Sequence, residues 1–160
     1  MAAYIKFDGV DGEAQDKDHK GWSDLASFSQ GLLQPGSSST GATRRRGDVV
    51  VEDIHANKEL DKASPKIAEA VCLGKVFPKV NIDLTASYTD AGRVTYYAYE
   101  LKNVLVTSYN ISGSGQSEDV PMEDFALNFE EIKVTYNEAD PTGKSKGKVE
   151  YSWKVEAGEA

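Results

Sequence analysis

Five carboxylates, Asp8, Asp11, Glu13, Asp16 and Asp18, crowd the start of the chain. Oxygen donors of this kind suit calcium, which takes carboxylate and carbonyl ligands. The D-x-[DN]-x-[DN]-G spacing of an EF-hand loop, with its later glutamate, is absent. The cluster is therefore read as a solvated acidic turn. A second group, Asp119, Glu123, Asp124, Glu130 and Glu131, offers the paired carboxyls of a glycosidase. Its plainer reading is charge on exposed strand and loop. His19 and His55 are the only histidines and lie far apart in sequence with no cysteine nearby, too few ligands for zinc. Cys72 is the only cysteine, so no internal disulfide and no C-x-x-C exist. A catalytic thiol would need a partner base. Cys72 is read instead as a small buried side chain on a helix. Neither G-x-S-x-G nor a phosphate-binding P-loop occurs, and Gly113 and Gly115 open no helix. No catalytic residue, metal or cofactor is expected, and the chain is not expected to be an enzyme.

The chain has 160 residues, enough for one domain, 1–160, with a substantial core. Eighteen basic and 26 acidic residues leave a net charge of −8. Nucleic acid demands the opposite balance. Such a field keeps free copies soluble, so self-association has to overcome repulsion that salt would screen. No run approaches the roughly 18 apolar residues of a membrane span, so no membrane insertion is expected. Residues 1–8 show no basic stretch followed by an apolar one. No cleaved signal peptide is expected, and any export would need another route.

Strand periodicity dominates. Val149, Tyr151, Trp153 and Val155 alternate with polar residues and are expected to form a buried face. Val80, Ile82, Leu84, Ala86 and Tyr88 make a second such face. The turn TDAG at 89–92 sends the chain back through 94–101, a hairpin. Residues 101–111 suit a long bent strand or a second hairpin. Phe125, Leu127 and Phe129 alternate, then Ile132, Val134 and Tyr136 do so one residue out of phase. The slip at Glu130 and Glu131 is read as a β-bulge, a device that bends a sheet toward closure. Shorter strands are expected at 4–7 and 49–54. A long one is expected over 22–33, with Ala26, Phe28 and Leu32 in phase.

A single helix over about 64–73 is predicted. Ser64 serves as N-cap and Pro65 as first helical residue. Ile67, Ala70 and Val71 form its apolar stripe, and Gly74 its left-handed end. Residues 35–47, PGSSSTGATRRRG, form a long loop. Segments 112–117 and 138–147 are also loop-like.

Taken in order, these segments resemble the Hcp family, the tail-tube proteins of bacterial type VI secretion systems. YIKFDGVDGE at 4–13, followed by Asp16, His19 and Trp22, resembles the family's opening. LDKASPKI at 60–67, running into Ala70, Val71, Cys72, Gly74 and Lys75, resembles its D-K-x-S-P helix entry. LKNVLVTS at 101–108, SGSG at 112–115 and LNFEEIKVTY at 127–136 resemble later strands and a glycine loop, and Trp153 stands near the end. The chain departs from the family at Arg44, Arg45 and Arg46, at 55–58 and at 150–153.

The resemblance implies a mainly β fold: an antiparallel two-sheet β-barrel with one short flanking helix and a long protruding loop at about 35–47. It implies a homohexameric ring, stacked into a hollow tube that is expelled into target cells. Partners would be other copies of the chain, a spike protein, a contractile sheath and effectors. The protein would reside in the bacterial cytoplasm before firing and be secreted without a cleaved signal. The expected ring and subunit contacts are Gln34, Pro35, Gly36, Ser38, Thr40, Arg44, Arg45 and Arg46 on the loop, facing Asp11, Glu13 and Asp16 of another copy. At 13 residues, 35–47, this loop is long enough to suggest a function. The alternative is a monomeric carbohydrate-binding β-sandwich that uses its tyrosines and tryptophans.

Overall fold

Alternating apolar and polar residues give ten strands in the computed structural model, which describes residues 1–35, 49–88 and 92–160. They are β1 (Ala2–Phe7), β2 (Ser23–Leu25), β3 (Ser27–Ser29), β4 (Leu32–Leu33), β5 (Val50–Val51) and β6 (Ile54–Glu59). After helix α1 (Ser64–Leu73) come β7 (Val76–Tyr88), β8 (Gly92–Ser112), β9 (Met122–Ala139) and β10 (Ser145–Lys154). The fold is mainly β and antiparallel with one short helix, as expected. Of the loop expected at 35–47, only Pro35 is described.

The two layers are parts of one curled sheet. Its order is β2-β1-β7-β8-β9-β6-β3, with β10 added on β9; β4 and β5 pair separately. The strand expected over 22–33 is three short strands, because the chain changes partner as it runs. β2 pairs with β1 at one end of the sheet, and β3 pairs with β6 at the other. Ala26 N–H donates to Asn57 O at 2.8 Å between them. Residues 23–29 thus link the two ends of the strand order. The strand expected over 49–54 likewise divides into β5 and β6.

The slip at Glu130 is not a bulge. β8 and β9 stay in register across it, with Lys102 opposite Glu131 and Val104 opposite Phe129. The same slip occurs on three neighbouring strands. Phe77 and Val80 on β7, Leu101 and Val104 on β8, and Phe129 and Ile132 on β9 are all buried, each pair separated by two outward residues. These residues lie in register across the sheet, so a fold line crosses it. On β8 the line passes Asn103, whose φ of 52° is left-handed, a region asparagine tolerates better than most residues. Its Nδ2 donates to Glu130 Oε2 at 2.8 Å. Register shifts occur elsewhere, leaving Tyr96 and Thr107 of β8 and Lys146 of β10 as extra residues. β8 is one continuous strand through 101–111, not a second hairpin.

The interior is apolar. Phe7 packs against Phe77 and Phe125, with ring centroids 5.2 and 5.8 Å apart. α1 contacts β8 and buries Ile67 and Ala70, with Val71 partly buried, matching the expected stripe. Gly74 takes the left-handed φ of 62°, and Lys75 N–H donates to Ala70 O at 2.9 Å, closing the last turn. Two helix details differ from expectation. The N-cap is Ala63, without a side-chain bond, and Ser64 begins the helix with its hydroxyl turned inward. Cys72 is exposed. Five positions beyond Ile67, it has rotated well off the buried stripe. Among the described residues no helix is long and apolar enough to cross a membrane.

Candidate assembly surfaces

Two polar clusters fix the geometry from which the surfaces project. In the first, Lys58 of β6 and Glu123 of β9 are fully buried and in direct ionic contact. Lys58 Nζ also reaches Asp61 Oδ1 at 2.8 Å. Glu123 accepts from Ser64 Oγ at 3.0 Å and from the Tyr109 hydroxyl of β8. Burial tends to raise the Asp61 carboxyl, but hydrogen bonds from Lys58 and Ser23 outweigh it and hold the group below its ordinary value. Burial, with the Glu123 contact added, pushes the Tyr109 hydroxyl up. This network ties the start of α1 to three strands, β6, β8 and β9.

In the second cluster His19 is buried between two carboxylates. Its Nδ1 lies 2.5 Å from Asp16 Oδ2 and its Nε2 2.9 Å from Asp83 Oδ2 of β7. Tyr4 stacks on the imidazole at 4.5 Å, and Trp22 meets it edge-on at 4.8 Å. The His19 hydrogen bond holds the Asp16 carboxyl below its ordinary value despite partial burial. Nearby, Lys6 Nζ donates to Val10 O at 2.7 Å, Gly21 O at 3.1 Å and Asp11 Oδ1 at 2.7 Å. Gly12 is required here: a Cβ would stand 2.5 Å from Trp22 O and 2.8 Å from the Ser23 nitrogen. The acidic stretch is thus an ordered loop, 8–22, fastened by the side chains of Lys6 and His19.

The carboxylates considered for catalysis are dispersed among separate partners. Glu123 is enclosed as described. Asp124 accepts from Asn57 Nδ2 at 2.6 Å, Asp119 from Ser117 Oγ at 3.0 Å, and Glu131 lies 3.8 Å from Lys102 Nζ. Among the described residues no three metal-ligating side chains converge.

The residues expected at subunit contacts are placed as follows. Asp11 is exposed at the loop's rim. Glu13 is exposed too, and its Oε2 accepts from Lys62 N–H at 3.3 Å. Both line a shallow depression of about 570 Å³ with Lys20 and Lys62. Asp16 is not beside them; it points inward to His19, with Arg93 Nε 3.7 Å from its other oxygen. Gln34 and Pro35 are exposed. Gly36, Ser38, Thr40, Arg44, Arg45 and Arg46 lie outside the described residues.

A surface that the sequence reading missed lies on β10. Its alternating face was expected to be buried; Trp153 and the following Val155 do pack against the core, yet Val149 is 74 % and Tyr151 44 % exposed. β10 pairs with the strand β9 alone, and apart from a bridge from Lys154 to Glu159 its other edge is open among the described residues. Tyr136 of β9, also exposed, stands opposite Val149 in the register. An apolar groove of about 260 Å³ runs from Tyr151 and Trp153 to Leu32 and Val51 of the small β4–β5 pair. Leu32, Leu33 and Val50 are exposed as well. The alternation was visible in sequence. What was not visible is that β10 hangs on the outside of β9, where the exposed Val149 and Tyr151 have no strand beyond them among the described residues.

Fold and surfaces together define a curled β protein that presents, among the described residues, an open strand edge and apolar patches. The family model "Type VI secretion system effector, Hcp" matches residues 4–136. The chain is 34 % identical to the protein hcp1 of Pseudomonas aeruginosa over 153 residues, covering 95 % of this chain and 93 % of that one. Among solved structures it is similar to a type six secretion system protein, with a TM-score of 0.89 and 28 % identity over 99 % of this chain and 98 % of the other. Hcp1 from Salmonella typhimurium shares the fold with a TM-score of 0.78 at 23 % identity, covering 99 % and 97 %. The chain belongs to the Hcp family of type VI secretion systems. It is a secreted structural protein and not an enzyme, and the carbohydrate-binding alternative is set aside.

Proposed function

We propose that copies of this chain close into a six-membered ring and that rings stack into the hollow tube of a type VI secretion system. The observation that carries this reading is the exposed apolar side chains and the edge of β10, open among the described residues, in a chain of this family. Full burial of one large apolar side chain is worth about 1.5–3 kcal/mol. Val149, Tyr151, Tyr136 and Leu32 can therefore supply several kcal/mol at a subunit boundary. The opposing repulsion between copies of charge −8 is screened beyond about 8 Å at physiological salt. Contact burial wins at short range. Head-to-tail contacts repeat until a rotation closes them, which suits a ring.

Stacking would use the loop at 35–47. Arg44, Arg45 and Arg46 would meet Asp11 and Glu13 of the next ring, with Gln34, Pro35, Gly36, Ser38 and Thr40 shaping the contact. Asp16 would act indirectly, by holding the 8–22 loop. The tube would ride inside a contractile sheath behind a spike, carry effectors, and pass from the bacterial cytoplasm into a target cell. Negative-stain microscopy of the purified chain tests the reading. Rings with a central hole are expected; dispersed single protomers at high concentration would refute it. Charge reversal at Arg44–Arg46 is expected to leave rings intact and abolish stacks. Stacks of normal length would remove the arginines from the contact.

A further inference from the structure

The His19 cluster has more donors and acceptors to satisfy than a neutral ring can manage. A carboxylate only accepts hydrogen bonds, and a neutral imidazole donates from one nitrogen. Here each ring nitrogen faces a carboxylate, Asp16 from the loop and Asp83 from β7. With both nitrogens protonated, two charge-assisted bonds form. With one proton gone, a nitrogen lone pair faces a carboxylate oxygen in a buried site. Tyr4 of β1 covers one ring face and Trp22 abuts the ring, so the imidazole stays where it is. The other charged groups around it are Arg93 of β8, 3.7 Å from Asp16, and Asp24 of β2, whose carboxyl is raised by burial and by the negative charges of Asp61 and Asp16.

We propose that His19 is a proton-operated clamp on the 8–22 loop. Doubly protonated, it fastens the loop to β7 through both carboxylates; on losing one proton it releases one of the two arms. The inference rests on contacts within one protomer and stands independently of how protomers assemble. The loop has a built-in control. Lys6 fastens its tip at Val10, Asp11 and Gly21, and lysine titrates far above imidazole. Release therefore loosens 14–19 and leaves the tip pinned.

Amide exchange across the His19 titration tests this, with the ring nitrogens followed by NMR in the full chain. The reporters are Ala14 N–H, which donates to Trp22 O at 2.8 Å, and Trp22 N–H, which donates to His19 O at 3.0 Å. Their protection factors are expected to fall at least about tenfold as His19 becomes neutral. Val10 N–H, bonded to Phe7 O at 3.0 Å, is expected to keep its protection. In Asp83→Asn the amide can turn its Nδ2 donor to the neutral ring, so the pH-dependent fall should vanish. Flat protection of Ala14 and Trp22 through the His19 titration would overturn the proposal, as would an unchanged fall in Asp83→Asn. If that variant does not fold, the wild-type profile measured against Val10 decides alone.

Discussion

Lys58 and Glu123 are each fully buried, and each is the other's main compensation. Removing one leaves an unpaired charge in the interior, which costs about 3–5 kcal/mol; replacing both with apolar residues of similar size is often neutral. Lys58→Met is therefore expected to lower unfolding stability by about that amount in urea titration, and Lys58→Met with Glu123→Leu to recover only part of it, because Asp61 still loses its Lys58 partner. Equal losses in the single and double variants would mean that the pair does not act as a unit. Acid acts on this cluster and on the His19 cluster alike. The Asp61 and Asp16 carboxyls lie below their ordinary value of 3.8 in the folded chain. Each binds its proton more weakly folded than unfolded, so its contribution is present above the unfolded value and lost as pH falls through the folded one. Urea midpoints are expected to decline below about pH 4, and the slope to shrink in Asp61→Asn.

Asn103 marks the fold line that lets β7, β8 and β9 keep apolar residues inside on both sides of the bend. A β-branched residue pays about 1–2 kcal/mol in the left-handed region. Asn103→Val is thus expected to destabilise by at least that, and Asn103→Gly by clearly less, in thermal or urea unfolding. The same line shows what sequence can and cannot reveal. The phase slip at Glu130 was legible, but a bulge on one strand and a crease across three leave the same trace in a single strand. The helix was legible almost entirely, because Pro65, the Ile67–Ala70–Val71 stripe and Gly74 are local signals. The breakup of 22–33 was not, because a change of partner at Ala26 depends on where β1 and β6 lie. On β10, alternation set the strand correctly and its burial only in part: Trp153 and Val155 pack against the core, while Val149 and Tyr151 are exposed. Val149→Lys with Tyr151→Lys should consequently cost the isolated protomer about 0.5 kcal/mol or less, as exposed sites do. It should nonetheless abolish rings in size-exclusion chromatography. A large loss of protomer stability would place those side chains in the core instead.

The complete protein, on this account, is an assembly. One copy displays an open strand edge, an apolar groove beside Trp153 and an ordered acidic loop, and the Hcp family supplies the context in which such surfaces meet. Net charge of −8 per copy makes the equilibrium sensitive to salt, because association gathers like charges. The expected oligomer should therefore form more readily at physiological ionic strength than at about 0.01 M, where the screening length is roughly 30 Å. Sedimentation velocity over a range of protein concentrations at physiological salt tests the central claim directly. The account predicts a single boundary at the mass of a closed ring of copies, growing at the expense of the protomer as concentration rises. A lone protomer boundary, unchanged at the highest concentration attainable, would contradict it.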